Sequence, residues 1–564
     1  MSALETIRKL KNLKDVATFF GYEAKYLSYL LYFEKEKYYQ FEIKKKNGGS
    51  RLISAPNKRL KAIQKKLSDI LYDCYIEIYP IDKYKIVSHG FIKRTKSDSY
   101  GIISNATSHK NKNHVLNLDL SNYFPCFNFG RIRGFLIKNR DFNLTPECAT
   151  VLAQIACYEN TLPQGSPCSP ILANFISRTL DSKLIQLAKK NSLRYSRYVD
   201  DITFSTNKKC FPKSIASVDA HKVTLSPEIK KIILKDGFII NERKTRLQYS
   251  DSKQEVTGLI VNKFVNIPFA YRHKLRAYTN SLFKSNTYFF KDDEGVIQEG
   301  SIEKLNGMLS HVHFVRKSTI NKDKYIRDRN GDISLDGADT VYSDFLFYKY
   351  FAHNKKPVIV CEGRTDVIYL RAVLKTLAQD YPSLVEVKDG KASLKIQILP
   401  ASKTVQDLLG LLTGTGDLRK FLESYKNRLR KYSNPSLTHP VVILVDNDQG
   451  PRKINNLIKN TYNIDTQPGI PSLINNNLVY ARTPTIGNKN DTMVEDFFSE
   501  GIKKLKVRGK TFSPNSEDET IAHYGKKIFA EEIISKKRKV LDFTSFKPIL
   551  DLIVAAISCY EKRS

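Results

Sequence analysis

"RYVDDITFS", residues 197–205, sets two carboxylates side by side between a Tyr-Val pair and a short β-prone run. Neighbouring side chains of a strand point to opposite faces, and like charges repel. Asp200 and Asp201 therefore suit either a solvated turn or the neighbourhood of a cation. The dipeptide alone reads as a turn; its surroundings decide otherwise. Upstream, "HVLNLDL" (114–120) is an apolar, β-prone run carrying Asp119 near its end, and "LRYSRYVDDITFST" (193–206) reads as two strands flanking a turn. Strands presenting Asp119 and Asp200 at their ends would offer Mg²⁺ a few carboxylates, the remaining oxygens coming from water and substrate phosphates. Nucleotidyl transfer has that need, because two such ions bridge the attacking 3′-oxygen and the leaving pyrophosphate.

The bulk of the chain points to a polyanionic partner. Its 564 residues exceed one hydrophobic core, so several domains are expected. Lys+Arg number 92 against 58 Asp+Glu, a formal net charge of +34, and the basic residues recur from "KRLKAIQKKL" to "SKKRKV". A field of this sign favours nucleic acid through phosphate neutralisation and counterion release. The eight cysteines form no CxxC pair and no His/Cys cluster, so reduced thiols in a cytoplasmic protein are expected rather than zinc. "MSALETIRKLKNLKDVATFF" places charges where a signal peptide needs an apolar stretch, and no run is long enough to span a membrane.

Along the chain, "KKKNGGSR" predicts a turn, and "RLKAIQKKLSDIL" a helix with Leu60, Ile63, Leu67 and Ile70 on one face. "TLPQGSPCSPILANFISRTLDSKLIQLAKK" is a Pro/Gly loop feeding a second helix. After residue 320 the character changes. A Gly/Asp-rich stretch predicts a linker over 321–350, followed by two apolar runs that stop at acids, "KPVIVCEGRTD" (356–366) and "HPVVILVDNDQG" (439–450). Apolar strands of this kind indicate a parallel sheet covered on both faces.

"LDLSNYFPCF", "LPQGSPCSP" and "YVDD", in that order, resemble the catalytic core of a reverse transcriptase, over roughly residues 40–320. The resemblance implies an α+β right-hand polymerase of fingers, palm and thumb over 1–320. It makes Asp119, Asp200 and Asp201 the catalytic metal ligands, and Gln164 and Gly165 the residues packing against the incoming nucleotide and template base. It makes Phe124 a steric gate that would clash with a 2′-hydroxyl. It places Lys244 of "NERKT" near the pyrophosphate and Arg51 of "SRLISAP" on the triphosphate. "KLNGMLSHVHFVRK" reads as a basic thumb helix.

"NATSH" (105–109) and "VTG" (256–258) are similar to the NAxxH and VTG signatures of bacterial retron reverse transcriptases. Such enzymes copy a structured RNA from their own locus. They prime from the 2′-hydroxyl of an internal guanosine and yield branched msDNA. Asn105 and His109 are then candidate RNA contacts, by hydrogen bonding and stacking, or else a capping Asn and a satisfied surface His.

"VIVCEGRTD" and "VVILVDNDQG" resemble a Toprim domain over 351–500, with Glu362 as general acid/base and Asp446 and Asp448 as ligands for Mg²⁺ or Mn²⁺. Gly363 and Asp366 belong to the first motif. Glu495 and Asp496 of "NDTMVEDFF" are similar to a later acidic motif of OLD-type Toprim nucleases. Residues 501–564 are expected as a basic helical extension, whose "FKPILDLIVAAISCY" could close the second core.

The expected partners are the cognate RNA and its msDNA, deoxynucleoside triphosphates, a host RNase H and, left open, a second copy of the chain. Fusions of this kind imply anti-phage defence. The rival readings are a group II intron-like enzyme, for which no maturase or HNH pattern is found, and a nucleic-acid-binding toxin scaffold.

Overall fold

The computed structural model describes residues 2–44, 48–80, 87–92, 100–219, 222–319, 334–514, 520 and 522–562. Residues 45–47 of the expected turn and 321–333 of the expected linker lie outside them. The chain forms two compact units, Met1–Phe269 and Ala270–Ser564. No helix among the described residues is long and apolar enough to cross a membrane.

In the first unit, an antiparallel hairpin of β1 (Tyr38–Lys44) and β2 (Ser50–Pro56) leads into α1 (Lys58–Ile78). Asn57 caps α1 by accepting from the Leu60 N–H. The buried stripe of α1 is Leu60, Ile63, Leu67 and Leu71, with Ile70 half-buried at its margin. Helix α2 (Ile102–Ser108) precedes β3 (His114–Ser121). Helix α4 (Ser169–Lys190), reached through α3 (Pro146–Ala156), packs against α1 and β4 (Arg194–Tyr198). Strands β4, β5 (Asp201–Thr206) and β3 lie side by side, all antiparallel. The other edge of β3 pairs with β6 (Ile239–Ile240) and β7 (Arg246–Tyr249). Leu116, Leu118, Leu120, Ile202 and Phe204 fill the core face. Alternation then puts Asn117, Asp119, Asp201 and Thr203 on the opposite, polar face.

The second unit begins with α5 (Phe269–Ser285), α6 (Ile302–Thr319) and α7 (Gly337–Phe347). The expected thumb sequence forms α6, with Leu305, Leu309, Val312 and Val315 buried. Its charged residues meet aspartates from later in the chain. His313 Nδ1 lies 3.0 Å from Asp339 Oδ1, Arg316 pairs with Asp336, and Lys317 pairs with Asp407. The expected boundary at 320 is thus corrected: compactness divides the chain at 269/270, because α6 packs on α7. The described part of the expected linker is also corrected. It contains α7, capped by Asp336 and burying Tyr342, Phe345, Leu346 and Phe347.

Beyond these helices lies a sheet of β8 (Val358–Cys361), β9 (Gln397–Ile398), β10 (Val441–Val445), β11 (Ser472–Asn475) and β12 (Leu478–Arg482). The order is β9–β8–β10–β12–β11, parallel except for the β11 edge, which is antiparallel to β12. Helices α8 (Arg364–Thr376), α9 (Lys403–Leu409) and α10 (Arg452–Tyr462) follow β8, β9 and β10 in the chain. The 501–564 segment is no appendage. Its α11 (Lys547–Glu561) buries Ile549, Leu550, Ile553 and Ala556 and packs on β10, β11 and β12.

Candidate active sites

Asp119 and Asp201 face each other across β3 and β5 as direct register partners, which sets their Cβ atoms about 5 Å apart. Asp200 occupies the β4–β5 turn, its carbonyl accepting from the Leu120 N–H at 3.0 Å. Burial, with Asp200 and Asp119 beside it, pushes the Asp201 carboxyl up to about 7. Burial and Asp119 also raise Asp200. Lys244 Nζ lies 2.7 Å from Asp119 Oδ2, and that hydrogen bond raises the ammonium. Asn241 Nδ2 donates to Asp119 Oδ1 at 3.2 Å.

A cleft of about 1160 Å³ opens over this edge, lined by Arg51, Phe124, Gln164, Asp119, Asp200 and Lys244. Six sequence-identified residues therefore meet in one cavity. Gly165 does not line it. With φ +126°, it runs so close to β2 that a Cβ would lie 2.8 Å from the Ser54 carbonyl oxygen. The Gln164 carbonyl accepts from the Ser54 N–H at 2.8 Å, joining this loop to the hairpin. A second cavity of about 370 Å³ lies on the polar face of the sheet and includes Asp119, Asp201, Arg243, Lys244 and Arg246.

The carboxylates fit a divalent cation in kind: oxygen donors gathered at one place, with Asp200 and Asp201 both raised by burial and by neighbouring carboxylates. Among the described residues, no three His, Cys, Asp or Glu side chains stand ready to cage an ion. Mg²⁺ bound by a few carboxylates plus substrate phosphates needs no such all-protein cage.

Asn105 and His109 do not lie on the surface. Both are fully buried. His109 Nδ1 lies 2.7 Å from Ser205 Oγ and Nε2 lies 2.7 Å from Ser196 Oγ, while the Ser196 hydroxyl donates to Asn105 Oδ1 at 2.5 Å. Burial, with help from His89 and Arg194, lowers the imidazole to about 3, so it is neutral. This motif ties α2 to β4 and β5. Thr257 of the VTG sequence donates to the Ile102 carbonyl at 3.1 Å, so the two signatures meet at α2.

In the second unit, Cys361 of β8 is the register partner of Leu444 of β10. Glu362 and Asp446 therefore leave the carboxyl ends of adjacent parallel strands, where open α/β sheets bind ligands. Glu362 Oε2 is buried with no hydrogen-bond partner among the described residues. Burial, with Asp366 and Asp448 nearby, pushes Glu362 up to about 7. Asp446 is held well above the usual carboxylate range by burial and by Asp366, Glu495 and Glu362. Its Oδ1 accepts from the Val494 N–H at 2.8 Å. Asp366 accepts from the Gly363 N–H at 2.9 Å and so caps α8. Asp448 accepts from the Gly450 N–H at 2.8 Å. Glu495 joins this group through Lys526, 3.1 Å away, and Tyr369, whose hydroxyl donates at 3.3 Å. Asp496 is engaged elsewhere, with the Met493 N–H and Lys489.

Sequence reading missed Lys526, Tyr369, Phe91 and Arg197. Phe91, in the first cleft, lies 6.2 Å from the Phe124 ring. Arg197 carried a signal: it shares the inward parity of Tyr195 on β4, so a cation was due in the core. Lys526 had none, lying far along the chain in a generally basic segment.

Residues 43–262 match the family described as reverse transcriptase (RNA-dependent DNA polymerase). The chain is 29% identical over 318 residues to the retron Mx65 reverse transcriptase of Myxococcus xanthus, covering 53% of this chain and 67% of that one. It is 31% identical over 257 residues to the retron Ec86 reverse transcriptase of Escherichia coli, covering 45% and 72%. With the retron Ec73 reverse transcriptase of Escherichia coli the identity is 30% over 298 residues, covering 49% and 84%. Among solved structures, a Candida albicans telomerase with a telomeric RNA fragment matches at 13% identity and a TM-score of 0.29, covering 56% of this chain and 64% of that one. A foamy viral protease-reverse transcriptase with double-stranded DNA matches at 12% and 0.26, covering 80% and 66%. Likenesses so loose carry no argument. On its sequence relatives, the chain belongs to the retron reverse transcriptase family.

Proposed function

We propose that this chain copies a cognate structured RNA into branched msDNA, priming from an internal guanosine 2′-hydroxyl. The observation that carries this reading is the Asp119–Asp201 register pair beside Asp200, at a cleft that also holds Arg51, Phe124, Gln164 and Lys244. Asp119, Asp200 and Asp201 would hold Mg²⁺, which when bound neutralises phosphate charge and activates the attacking hydroxyl. Arg51 and Lys244 supply positive charge for the triphosphate, Gln164 faces the nucleotide, and Phe124 excludes a 2′-hydroxyl from the incoming sugar. RNA removal is assigned to a host RNase H.

The C-terminal sheet is read as a Toprim-like nuclease, with Glu362 as acid/base and Asp446 and Asp448 as ligands for Mg²⁺ or Mn²⁺. The unpartnered Glu362 oxygen at the strand ends supports this. In this reading the RNA–msDNA–protein complex restrains the nuclease until a phage disturbs it.

The test is the nucleic acid that copurifies with the expressed locus, wild type against Asp200→Asn/Asp201→Asn. A short DNA that shifts on debranching and vanishes in the double variant is expected. RNA without attached DNA in both proteins would instead favour a binding scaffold.

A further inference from the structure

Arg197 lies beneath the catalytic turn with its side chain 0% exposed. Its guanidinium forks Asp181 of α4, Nε to Oδ1 at 2.8 Å and Nη2 to Oδ2 at 2.9 Å. A core ion pair would be complete with that. Yet Nη1 continues to two further acceptors, the Val199 carbonyl and the Tyr123 hydroxyl, each at 2.9 Å. Both lead to the cleft. Val199 is the first residue of the turn that ends at Asp201, and the Tyr123 ring sits edge-on to Phe124, centroids 5.5 Å apart.

The turn needs holding. Val199 has φ +60°, and Asp200 does not share the left-handed region. A two-residue hairpin turn with that pattern ordinarily takes glycine at its first position. A β-branched residue there is strained and persists only where its surroundings over-determine it. Those surroundings are specific. The Arg197 N–H donates to the Val87 carbonyl at 2.9 Å, and the Arg197 carbonyl accepts from the His89 N–H at 2.8 Å. This isolated parallel bridge of Ser88 with Arg197 brings Gly90 against the turn, where a Cβ would lie 2.7 Å from Val199 Cγ2. Asn174 of α4 donates to the Gly90 carbonyl at 2.9 Å.

We propose that Arg197, anchored by Asp181, is a positioning residue for polymerisation. It clamps the strained Val199 turn and Tyr123 together, so that the Asp200/Asp201 carboxylates and the Phe124 ring keep one mutual spacing. Arg197 touches neither nucleotide nor metal. Its effect passes through the Val199 carbonyl and the Tyr123 hydroxyl.

The inference rests on the polymerase reading, and the experiment separates the two. Full-length protein extends a primed RNA template with single nucleotides, and kcat, KM, the preference for deoxy- over ribonucleotides, and melting are measured. Arg197→Ala would strand the Asp181 charge and endanger the fold, so Arg197→Lys is the main variant. Lysine keeps the charge but cannot reach both Asp181 and the turn. Arg197→Lys should lower kcat about 10–100-fold with little change in the nucleotide KM, the scale of a small misplacement of reacting groups. Sugar preference should fall in Arg197→Lys and also in Tyr123→Phe. Adding Val199→Gly, which adopts φ +60° without strain, should restore most of the Arg197→Lys loss in kcat. A folded Arg197→Lys with wild-type kcat and sugar preference would overturn the clamp. So would a loss that Val199→Gly leaves untouched and that tracks the unfolded fraction. A wild-type chain that incorporated no nucleotide would sink the polymerase reading and this one together.

Discussion

A histidine with no exposed surface and two hydroxyl partners makes folding sensitive to acid. His109 is neutral in the native chain down to about pH 3, because burial, aided by His89 and Arg194, disfavours the charged ring. In the unfolded chain it takes a proton below roughly pH 6.5. The unfolded state therefore binds the extra proton in that window, and stability falls as pH drops from roughly 6.5 toward 3, by up to about 1.4 kcal/mol per pH unit. His109→Gln removes this contribution. Urea melts of both proteins between pH 7.5 and 5 should show a shallower acid limb for the variant; parallel limbs would refute the assignment. At this scale the sequence was legible where spacing and chemistry coincide, as at Asp119, Asp200 and Asp201. It misled at Asn105 and His109, because polar residue types suggested a surface whereas β4 and β5 supply buried serine partners. A hydrogen-bonded polar core leaves no periodic signature in the chain.

Elements were legible in proportion to their periodicity. The runs "VIVC" and "VVILV" became β8 and β10, adjacent and parallel. Helix α7 went unread because the Gly/Asp-rich approach that looked like a linker supplies its cap, Asp336. The apolar run "FKPILDLIVAAISCY" suits closing a core, and as α11 it packs its apolar face on the sheet. Ile553→Ala should therefore cost about 2–5 kcal/mol, the usual cost of truncating a fully buried aliphatic side chain. The same change in a solvated appendage would cost less than about 0.5 kcal/mol. Chemical denaturation of the full chain distinguishes these, and the smaller value would show that α11 adds little to the core.

For the whole molecule, the two carboxylate clusters predict separable activities. On the proposed nuclease reading, Glu362→Gln, which keeps the shape and removes the charge at the end of β8, should leave msDNA as in wild type while protection against phage and effector toxicity disappear. Plaque assays beside msDNA gels check both arms. Unchanged protection would remove Glu362 from the effector. A change of character along the chain was legible from the succession of motifs. The seam was not, because it depends on which helices pack together rather than on where composition changes.

The ion pairs of α6 bear on how such a protein could be re-engineered or exchange parts with relatives. His313, Arg316 and Lys317 are matched to Asp339, Asp336 and Asp407, all further along the chain. A chain cut after residue 319 would leave Arg316, Lys317 and the His313 ring deprived of those aspartates and the apolar face that packs on α7 bared to water. A graft that keeps α6 therefore has to keep α7 and these aspartates with it.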